Sequence, residues 1–220
     1  MADIVIFGAG DQGECTVDVV ERGDEHRIVG FVDDGRPAGD EVAGYPVLGR
    51  TTELVELRRR HGFDGAVVAI GDNYRRRRAV EAARDLDPSL PFVTVIDPTA
   101  SIGGQVSIGE GTVIQAEAVV NRGATIGVHG LLCVRASLDH HAVLGDYSSL
   151  APNVATGGRV RVGSLTAICI GSTINHGLTV GDHTVVGAGS TVVRNVRDGV
   201  VAMGTPCRTV RPRSIDDPYL

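Results

Sequence analysis

The sequence predicts an α/β unit of the Rossmann-like βαβ type followed by a left-handed parallel β-helix of six-residue repeats. Three observations lead to this fold class. Short apolar strands alternate with helical segments in the first half of the 220-residue chain. From residue 102 onward an aliphatic residue recurs at almost every sixth position. The chain also has 30 glycines but only 4% aromatic residues, which suits stacked turns. We expect the two domains at residues 1–97 and 98–220.

In the first half, the alternation of strands and helices favours a parallel sheet with helices packed against it. The expected strands are Asp3–Phe7, Arg27–Val32, Gly65–Ile70 and Phe92–Ile96, and the expected helices are Gln12–Arg22, Thr52–His61 and Tyr74–Leu86. The third helix carries the arginine run 75–78, which we interpret as a solvent-exposed helix face. Phosphate binding is the alternative role for this run.

In the second half, sixteen positions follow one another at intervals of six residues from Ile102 to Val192, and fifteen of them are Ile, Leu or Val. Each six-residue unit is expected to form one short strand and one turn, and three units close a coil of eighteen residues. The aliphatic side chains point into the resulting prism, and coils stack at ~4.8 Å. Prisms of this kind generally form trimers, so that resemblance predicts a homotrimer.

Charge and cysteine content narrow the function classes. A net charge of −6 argues against a general nucleic-acid binder. The chain has no lysine, which excludes Schiff-base and Walker-type lysine chemistry. Its four cysteines lack the spacing of a disulfide framework or zinc finger. We expect a cytoplasmic protein without a membrane span, because no apolar run is long enough and the start lacks a basic region.

A glycine fingerprint follows the first expected strand. Gly8, Gly10 and Gly13 form GxGxxG, and Asp33 ends the next strand twenty residues after Gly13. Alone, this pattern favours a nicotinamide dehydrogenase. However, only about 95 residues precede the repeats, too few for two nucleotide-binding halves and a substrate domain. A purely structural glycine turn is the remaining alternative.

The chain resembles the sialic-acid O-acetyltransferases and bacillosamine N-acetyltransferases (NeuD/PglD-like), which are hexapeptide-repeat sugar acyltransferases. The resemblance spans about residues 3–211. It rests on IVIFGAGDQGE near the start, FVDD at 31–34, YPVLG at 45–49, AIGDN at 69–73, SLDHHAVLGD at 137–146 and GTPCR at 204–208. It implies an acetyl-CoA-dependent enzyme that N-acetylates the amino group of a nucleotide-linked amino-sugar and requires no metal.

The resemblance also implies two groups of binding residues. The nucleotide sugar is expected at Gly8, Gly10, Asp11, Gln12, Asp33, Asp34, Ala69, Ile70 and Gly71. Coenzyme A is expected at Ser149, Gly158, Ile170 and Ala188. Members of the family often carry His where this chain has Gln12, so this position bears on which sugar is bound.

His140 is the predicted general base. Acyl transfer from a thioester needs a group that takes the proton of the nucleophile, and imidazole suits neutral pH. His140 lies two positions after Leu138, at the rim of a coil, where the family's proposed base aligns. Gly158 follows one coil later and is expected to stack over His140, with its N–H available to an oxyanion. The alternatives are an exposed turn histidine and a tight corner formed by Gly157 and Gly158.

The partner that orients His140 stays open between Asp139, His141 and Asp146. The family commonly has an acid directly after its histidine, where this chain has His141. His176 lies two coils beyond His140, roughly 9–10 Å away by strand spacing. It either lines the coenzyme channel or is an ordinary surface histidine.

Three other functions remain open at this stage. The acceptor is a sugar hydroxyl in the sialic-acid type of O-acetyltransferase, and the same base serves both acceptors. A zinc hydratase of the γ-carbonic anhydrase type shares three histidines across a trimer face. The histidines available in the prism are His129, His140, His141, His176 and His183. The last alternative is a non-catalytic nucleotide-sugar-binding protein.

Overall fold

The computed structural model describes residues 1–217 and begins with an α/β unit. Its five-stranded sheet has the order β3-β4-β2-β1-β5. The strands are β1 (Ala2–Phe7), β2 (His26–Val32), β3 (Glu41–Val42), β4 (Tyr45–Gly49) and β5 (Gly65–Val68). The helices are α1 (Asp11–Arg22), α2 (Leu54–His61), which follows a 3₁₀ turn at Thr51–Glu53, and α3 (Asn73–Leu86). Sequence reasoning missed the antiparallel β3–β4 pair.

Apolar runs and caps explain these elements. β1 lies between β2 and β5 and is parallel to both, and Ile4 to Phe7 are at most 1% exposed, as in parallel strands whose two faces are both covered. Gly13 packs against the carbonyl of Gly8, where a Cβ would overlap, so the fingerprint glycine allows α1 to approach β1. Asp72 caps α3 by accepting a 2.8 Å hydrogen bond from the Arg75 amide.

The segment expected to form the last strand of the first unit divides between the two units. Phe92 makes a single parallel bridge to Ala66 in the first sheet. Val95–Ile96 (β6) instead pairs with Val113–Ile114 on a face of the prism. The prediction of one strand over Phe92–Ile96 is therefore wrong, because the chain passes from one sheet to the other within three residues.

The second unit is the left-handed parallel β-helix that the six-residue period predicts. Each of sixteen two-residue strands ends on a residue of that period. They are β7 (Ser101–Ile102), β8 (Ser107–Ile108), β9 (Val113–Ile114), β10 (Val119–Val120), β11 (Thr125–Ile126), β12 (Leu131–Leu132), β13 (Ser137–Leu138), β14 (Val143–Leu144), β15 (Ser149–Leu150), β16 (Ala155–Thr156), β17 (Arg161–Val162), β18 (Ala167–Ile168), β19 (Thr173–Ile174), β20 (Thr179–Val180), β21 (Val185–Val186) and β22 (Thr191–Val192). β23 (Val200–Met203) extends one face and pairs antiparallel with β24 (Arg208–Pro212).

The three faces of the prism are sheets of six, five and eight strands. Partners in neighbouring coils are eighteen residues apart, as in Val120↔Leu138. The core consists of aliphatic layers, and Ile114, Leu132, Leu144, Leu150 and Ile168 are all fully buried.

Buried hydroxyl groups form a second, polar column inside the prism. Ser148 Oγ accepts a hydrogen bond from the Thr166 amide at 3.0 Å and donates to the Gly163 carbonyl at 2.6 Å. Thr166 and Thr184 repeat this pattern one coil further on. Each buried hydroxyl is therefore satisfied, as interior polar groups require.

The arginine run of α3 departs from expectation at one position. Arg78 is largely exposed and pairs with Glu81. Arg76, in contrast, is only 2% exposed and is enclosed between α3 and the prism. The prediction of a wholly solvent-exposed helix face is wrong at Arg76, since this part of α3 faces the second unit rather than solvent.

His129 lies in the seam between the two units and is fully buried. Its ring stacks on Tyr147 with centroids 5.1 Å apart and meets the edge of Phe92 at 5.0 Å. Neither ring nitrogen has a hydrogen-bond partner within residues 1–217. Burial, together with the charges of Arg84 and Arg76, lowers the pKa of His129 to about 3. The imidazole is consequently neutral at physiological pH.

This burial predicts a loss of stability in acid. Because the pKa of His129 is lower in the folded chain than the ~6.5 of an unfolded histidine, the unfolded state binds more protons between those values. From pH 7 to pH 5, His129 alone should lower the free energy of unfolding by about 2 kcal/mol. Denaturant titrations at both pH values should show a correspondingly smaller drop for His129→Asn, which removes the titrating group and suits the positive φ of this residue. Equal drops for both proteins would contradict the assignment.

Candidate active site

The predicted base lies in a column of residues at one corner of the prism. Each member stands two residues after the last residue of a strand of the six-stranded face, so the eighteen-residue register stacks them in successive coils. The column runs Gly104, Arg122, His140, Gly158 and His176. His140 is half-buried, His176 is exposed and Gly158 is buried between them.

The His140 imidazole lies directly against Gly158. A Cβ built on Gly158 would overlap the ring, with Nε2 as its nearest atom. The φ of Gly158 is not positive, so the glycine is required for space and not for backbone conformation. The structure thus brings together the two residues that sequence analysis predicts as base and oxyanion donor.

The Gly158 amide differs from those of its neighbours in the column. The side chain of Asp139 caps the His140 amide at 2.7 Å, and that of Asn175 caps the His176 amide at 2.9 Å. The corresponding residue before Gly158 is Gly157, which has no side chain. Within residues 1–217 the Gly158 N–H donates to no acceptor, so a hydrogen-bond donor remains beside the imidazole.

His176 is closer to His140 than strand spacing suggests. The two ring centroids are 6.2 Å apart, whereas the expected separation was roughly 9–10 Å. Because Gly158 has no side chain, the rings above and below it approach each other across the gap. The strand spacing predicts the distance between the two backbones, whereas the side-chain directions set the distance between the two imidazole rings.

Of the three candidates for the orienting partner, Asp139 is placed to act on both imidazoles. Its Oδ1 accepts hydrogen bonds from the His140 backbone amide and, at 2.7 Å, from Asn121 Nδ2. These bonds lower the pKa of Asp139, and the charges of His140 and His176 lower it further. Within residues 1–217 the Asp139 carboxylate accepts no hydrogen bond from the His140 ring.

The other two candidates are placed differently. His141 is exposed, and its ring stands at 87° to that of His140 with centroids 5.6 Å apart. Asp146 lies at the next corner of the coil, where its Oδ1 accepts a 2.9 Å hydrogen bond from the Val128 amide. The structure therefore does not bring Asp146 to His140, since the two follow strands of different faces.

A cavity of about 440 Å³ lies on the eight-stranded face. It contains Ser149, Ile170 and Ala188, three of the residues expected to bind coenzyme A, and also Gln12 and Gly71 from the first unit. The rest of its lining is mostly apolar: Leu131, Cys133, Ala151, Ala167, Ile168, Cys169, Val185, Gly187, Val201 and Met203. Gly158 and His140 are absent from this lining, because they lie at a corner between two other faces.

Sequence reasoning missed the two cysteines in this cavity. Burial raises the pKa of Cys133 to about 12, so its thiol stays protonated and serves as apolar lining. Burial also raises the pKa of Cys169. The signal was present in the sequence: Cys133, Ala151, Cys169 and Gly187 follow one another at eighteen-residue intervals, directly after strands of the same face.

A second cavity, of about 210 Å³, opens beside the glycine fingerprint. Gly8, Asp33, Asp34, Thr51 and Ile70 contribute to its lining. Gly10, Asp11 and Ala69, which were also expected to bind substrate, are not part of either cavity lining. The predicted nucleotide residues are therefore distributed between this cavity and the larger one.

The two aspartates of this cavity hold its walls together. Asp33 accepts hydrogen bonds from the Ala9 amide at 2.7 Å and from the Gly35 and Arg36 amides at 2.8 and 3.0 Å. Asp34 accepts from the amide and hydroxyl of Thr51. Asp33 therefore stabilises the loop that follows β2 and also lines the cavity.

The packing of His140 on Gly158 predicts a specific effect of one methyl group. Gly158→Ala should displace the His140 ring while leaving the fold intact, since the backbone angles suit alanine. The rate of thioester cleavage should fall by roughly 100-fold, as expected for a misplaced catalytic group. A crystal structure of the variant measures the displacement, and a thiol assay measures the rate.

Gly104→Ala is the matched control. Gly104 occupies the same column, and its added Cβ would meet only the flexible end of Arg122 at 3.0 Å. Gly104→Ala should leave the His140 ring in place and the rate of thioester cleavage unchanged. An unmoved His140 ring in Gly158→Ala, or equal rates for both variants, would refute the geometric argument.

Among the helices of residues 1–217, none has the length and hydropathy that spanning a bilayer requires. Among residues 1–217, no group of three or more His, Cys, Asp or Glu side chains is arranged to hold a metal ion.

Comparison with known proteins identifies relatives along almost the whole chain. The family described as the PglD N-terminal domain matches residues 3–83. PerB from Caulobacter crescentus, solved with CoA and GDP-perosamine, is 32% identical, with a TM-score of 0.89 over 96% of this chain and 98% of that one. The acetyltransferase domain of PglB from Neisseria gonorrhoeae, solved with acetyl coenzyme A, is 29% identical, with a TM-score of 0.87 over 95% and 99%. No curated protein sequence matches. The chain is an acyltransferase and belongs to the NeuD/PglD-like family of hexapeptide-repeat sugar acyltransferases.

Proposed function

We propose that this enzyme transfers the acetyl group of acetyl-CoA to the amino group of a nucleotide-linked amino-sugar. The observation that carries the proposal is the His140 imidazole packed against Gly158, whose amide donates to no acceptor within residues 1–217. The relatives add the substrate class, because PerB was solved with CoA and GDP-perosamine. They also favour an amine over a hydroxyl acceptor, because a variant of the GDP-perosamine N-acetyltransferase from Caulobacter crescentus, also solved with CoA and GDP-perosamine, is 31% identical to this chain.

In the proposed reaction, His140 acts as general base. The neutral amine attacks the thioester carbonyl carbon, a C–N bond forms, and the imidazole takes the proton that the nitrogen loses. The negative charge on the carbonyl oxygen accepts a hydrogen bond from the Gly158 N–H. The C–S bond then breaks, and the imidazolium returns the proton to the leaving thiolate, so the enzyme regains its initial state.

Asp139 supports this step electrostatically. Its lowered pKa keeps the carboxylate ionised, and its charge interacts with His140 and His176. A nearby anion stabilises the imidazolium that forms when His140 accepts the proton. By capping the His140 amide, Asp139 also fixes the backbone from which the base projects.

The two cavities accommodate the two substrates. The smaller one, beside the first glycine of the fingerprint, takes the nucleotide, because glycine-rich loops favour phosphate. The larger, mostly apolar cavity takes the acyl chain and pantetheine arm of acetyl-CoA. Ile70 lines the smaller cavity and Gly71 lines the larger one, so the sugar end of the nucleotide can reach the acetyl donor.

The active enzyme is a homotrimer under this proposal. Within one chain, the acetyl-CoA cavity is on the eight-stranded face and His140 is at a corner between the other two faces. One subunit therefore does not assemble the base and the donor site by itself. Three prisms around a threefold axis place the corner of one subunit against the cavity of the next.

A thiol-release screen tests the reaction. Wild-type enzyme with acetyl-CoA is offered GDP-perosamine and a panel of UDP-, dTDP- and CMP-linked amino-sugars, and product masses are recorded. At least one amino-sugar should gain a single acetyl group, and the corresponding sugar without its amine should not react. Thiol release in the absence of any nucleotide sugar acceptor, or acetylation of a hydroxyl alone, would contradict the proposal.

His140→Ala tests the base. It should lower kcat by roughly 10²- to 10⁴-fold, the usual contribution of general base catalysis, with nucleotide-sugar affinity measured by calorimetry unchanged. His61→Ala, at an exposed site in the first unit, is the control and should keep full activity. Normal turnover of His140→Ala would show that another group removes the proton.

Mixed oligomers test the shared site. His140→Ala supplies an intact acetyl-CoA cavity, and Ala188→Trp supplies an intact base beside a blocked cavity. Co-expressed with different tags and purified as mixed trimers, the two inactive variants should recover up to about one third of wild-type activity, since one site in three then combines two intact halves. No recovery in mixed trimers, or a monomer in sedimentation, would contradict the arrangement.

A further inference from the structure

We propose that Arg76 is a positioning residue that fixes the wall between the nucleotide cavity and the acetyl-CoA cavity onto the prism. Arg76 is not part of the glycine fingerprint, and it is not the proposed base. The proposal rests on the proposed function, because it concerns how the two substrates of that reaction are held relative to each other.

All five N–H groups of the Arg76 guanidinium are engaged. Nη1 donates to the carbonyls of Ile70 at 2.8 Å and Gly71 at 3.2 Å. Nη2 donates to Asn73 Oδ1 at 2.7 Å and the Tyr147 carbonyl at 2.9 Å, and Nε donates to the His129 carbonyl at 3.0 Å. Arginine has five donors in a rigid planar fork, so this arrangement uses its full capacity.

Three of these acceptors belong to the first unit, and the other two belong to the prism. Ile70, Gly71 and Asn73 surround the start of α3, and His129 and Tyr147 lie one coil apart in the same turn position, both with positive φ. Neither prism carbonyl accepts a backbone hydrogen bond within residues 1–217. The prism therefore presents two carbonyls one coil apart, and within residues 1–217 their hydrogen bonds come from the Arg76 side chain.

The segment that Arg76 holds separates the two cavities. Ile70 borders the 210 Å³ cavity with Gly8 and Asp33, and Gly71 borders the 440 Å³ cavity with Ser149. A single guanidinium nitrogen binds both carbonyls of this wall. The position of the wall relative to the prism, and thus the distance from bound nucleotide to bound acetyl-CoA, depends on this side chain.

Lysine cannot replace arginine here. Its ammonium group has three donors on a flexible stem and does not reproduce the planar fork. In Arg76→Lys at least two of the five oxygens lose their partner, although the positive charge stays. The wall should loosen, while the prism residues that hold acetyl-CoA remain in their coils.

The experiment compares Arg76→Lys with Arg78→Lys as its matched control. Arg78 lies on the same helix, is largely exposed and pairs with Glu81, so the same substitution there should change nothing. Asn73→Ala is a second variant that removes one acceptor and keeps the arginine. The readouts are KM for the nucleotide sugar that the wild-type enzyme acetylates best, KM for acetyl-CoA, kcat, and hydrogen–deuterium exchange of residues 69–73.

Arg76→Lys should raise KM for the nucleotide sugar by roughly tenfold and lower kcat, because misplaced substrates react slowly, while KM for acetyl-CoA changes less than about twofold. Asn73→Ala should also raise KM for the nucleotide sugar and lower kcat, but by smaller factors than Arg76→Lys. Exchange at residues 69–73 should become faster in both variants and not in Arg78→Lys.

A purely structural role gives a different result. Partial unfolding would lower kcat through a smaller active fraction and leave both KM values unchanged, and that outcome would overturn the proposal, as would unchanged exchange at residues 69–73. If the wild-type enzyme acetylated no nucleotide sugar, the proposed function would fail, and the exchange comparison would still decide whether Arg76 holds the wall.

Discussion

The eighteen-residue register of the prism is the constraint on which the remaining structure depends. Backbone hydrogen bonds between successive coils fix which residues become neighbours, as in the pairing of Val120 with Leu138. A chain position therefore translates directly into a height and a corner. Because the aliphatic layers must stay in register to remain buried, the backbone of a residue at a corner has little freedom to shift.

The eighteen-residue register also produces the corner column that contains His140, Gly158 and His176. A glycine at position 158 removes the side chain between two histidines, so their rings occupy the gap and come within 6.2 Å. The preceding Gly157 lacks the cap that Asp139 and Asn175 provide to their neighbours. Two consecutive glycines thus create both the space for the imidazole and the available amide, the two features on which the proposed attack on a thioester depends.

Under the proposed function, the seam between the two units sets the position of the nucleotide relative to the acetyl donor. It is held by the Arg76 guanidinium, by the stacked rings of His129 and Tyr147, and by the 2.8 Å ion pair of Arg22 with the buried Asp97. The Arg76 guanidinium and the Asp97 carboxylate would each be costly to bury without their partners, so the seam has few alternative arrangements. Under the proposed function, a fixed seam suits an enzyme whose substrates bind to different units.

The sequence by itself determined the two fold types, the coil register and the stacking of Gly158 on His140, because periodicity of six residues specifies neighbours through local turns and backbone pairing alone. Tertiary structure decided the rest. It divided the segment 92–96 between two sheets, buried Arg76 between the exposed Arg75 and the half-buried Arg77, and brought the rings of His140 and His176 to 6.2 Å. These outcomes depend on how the first unit docks on the prism and on side-chain direction, and neither is encoded in the spacing of residues along one element.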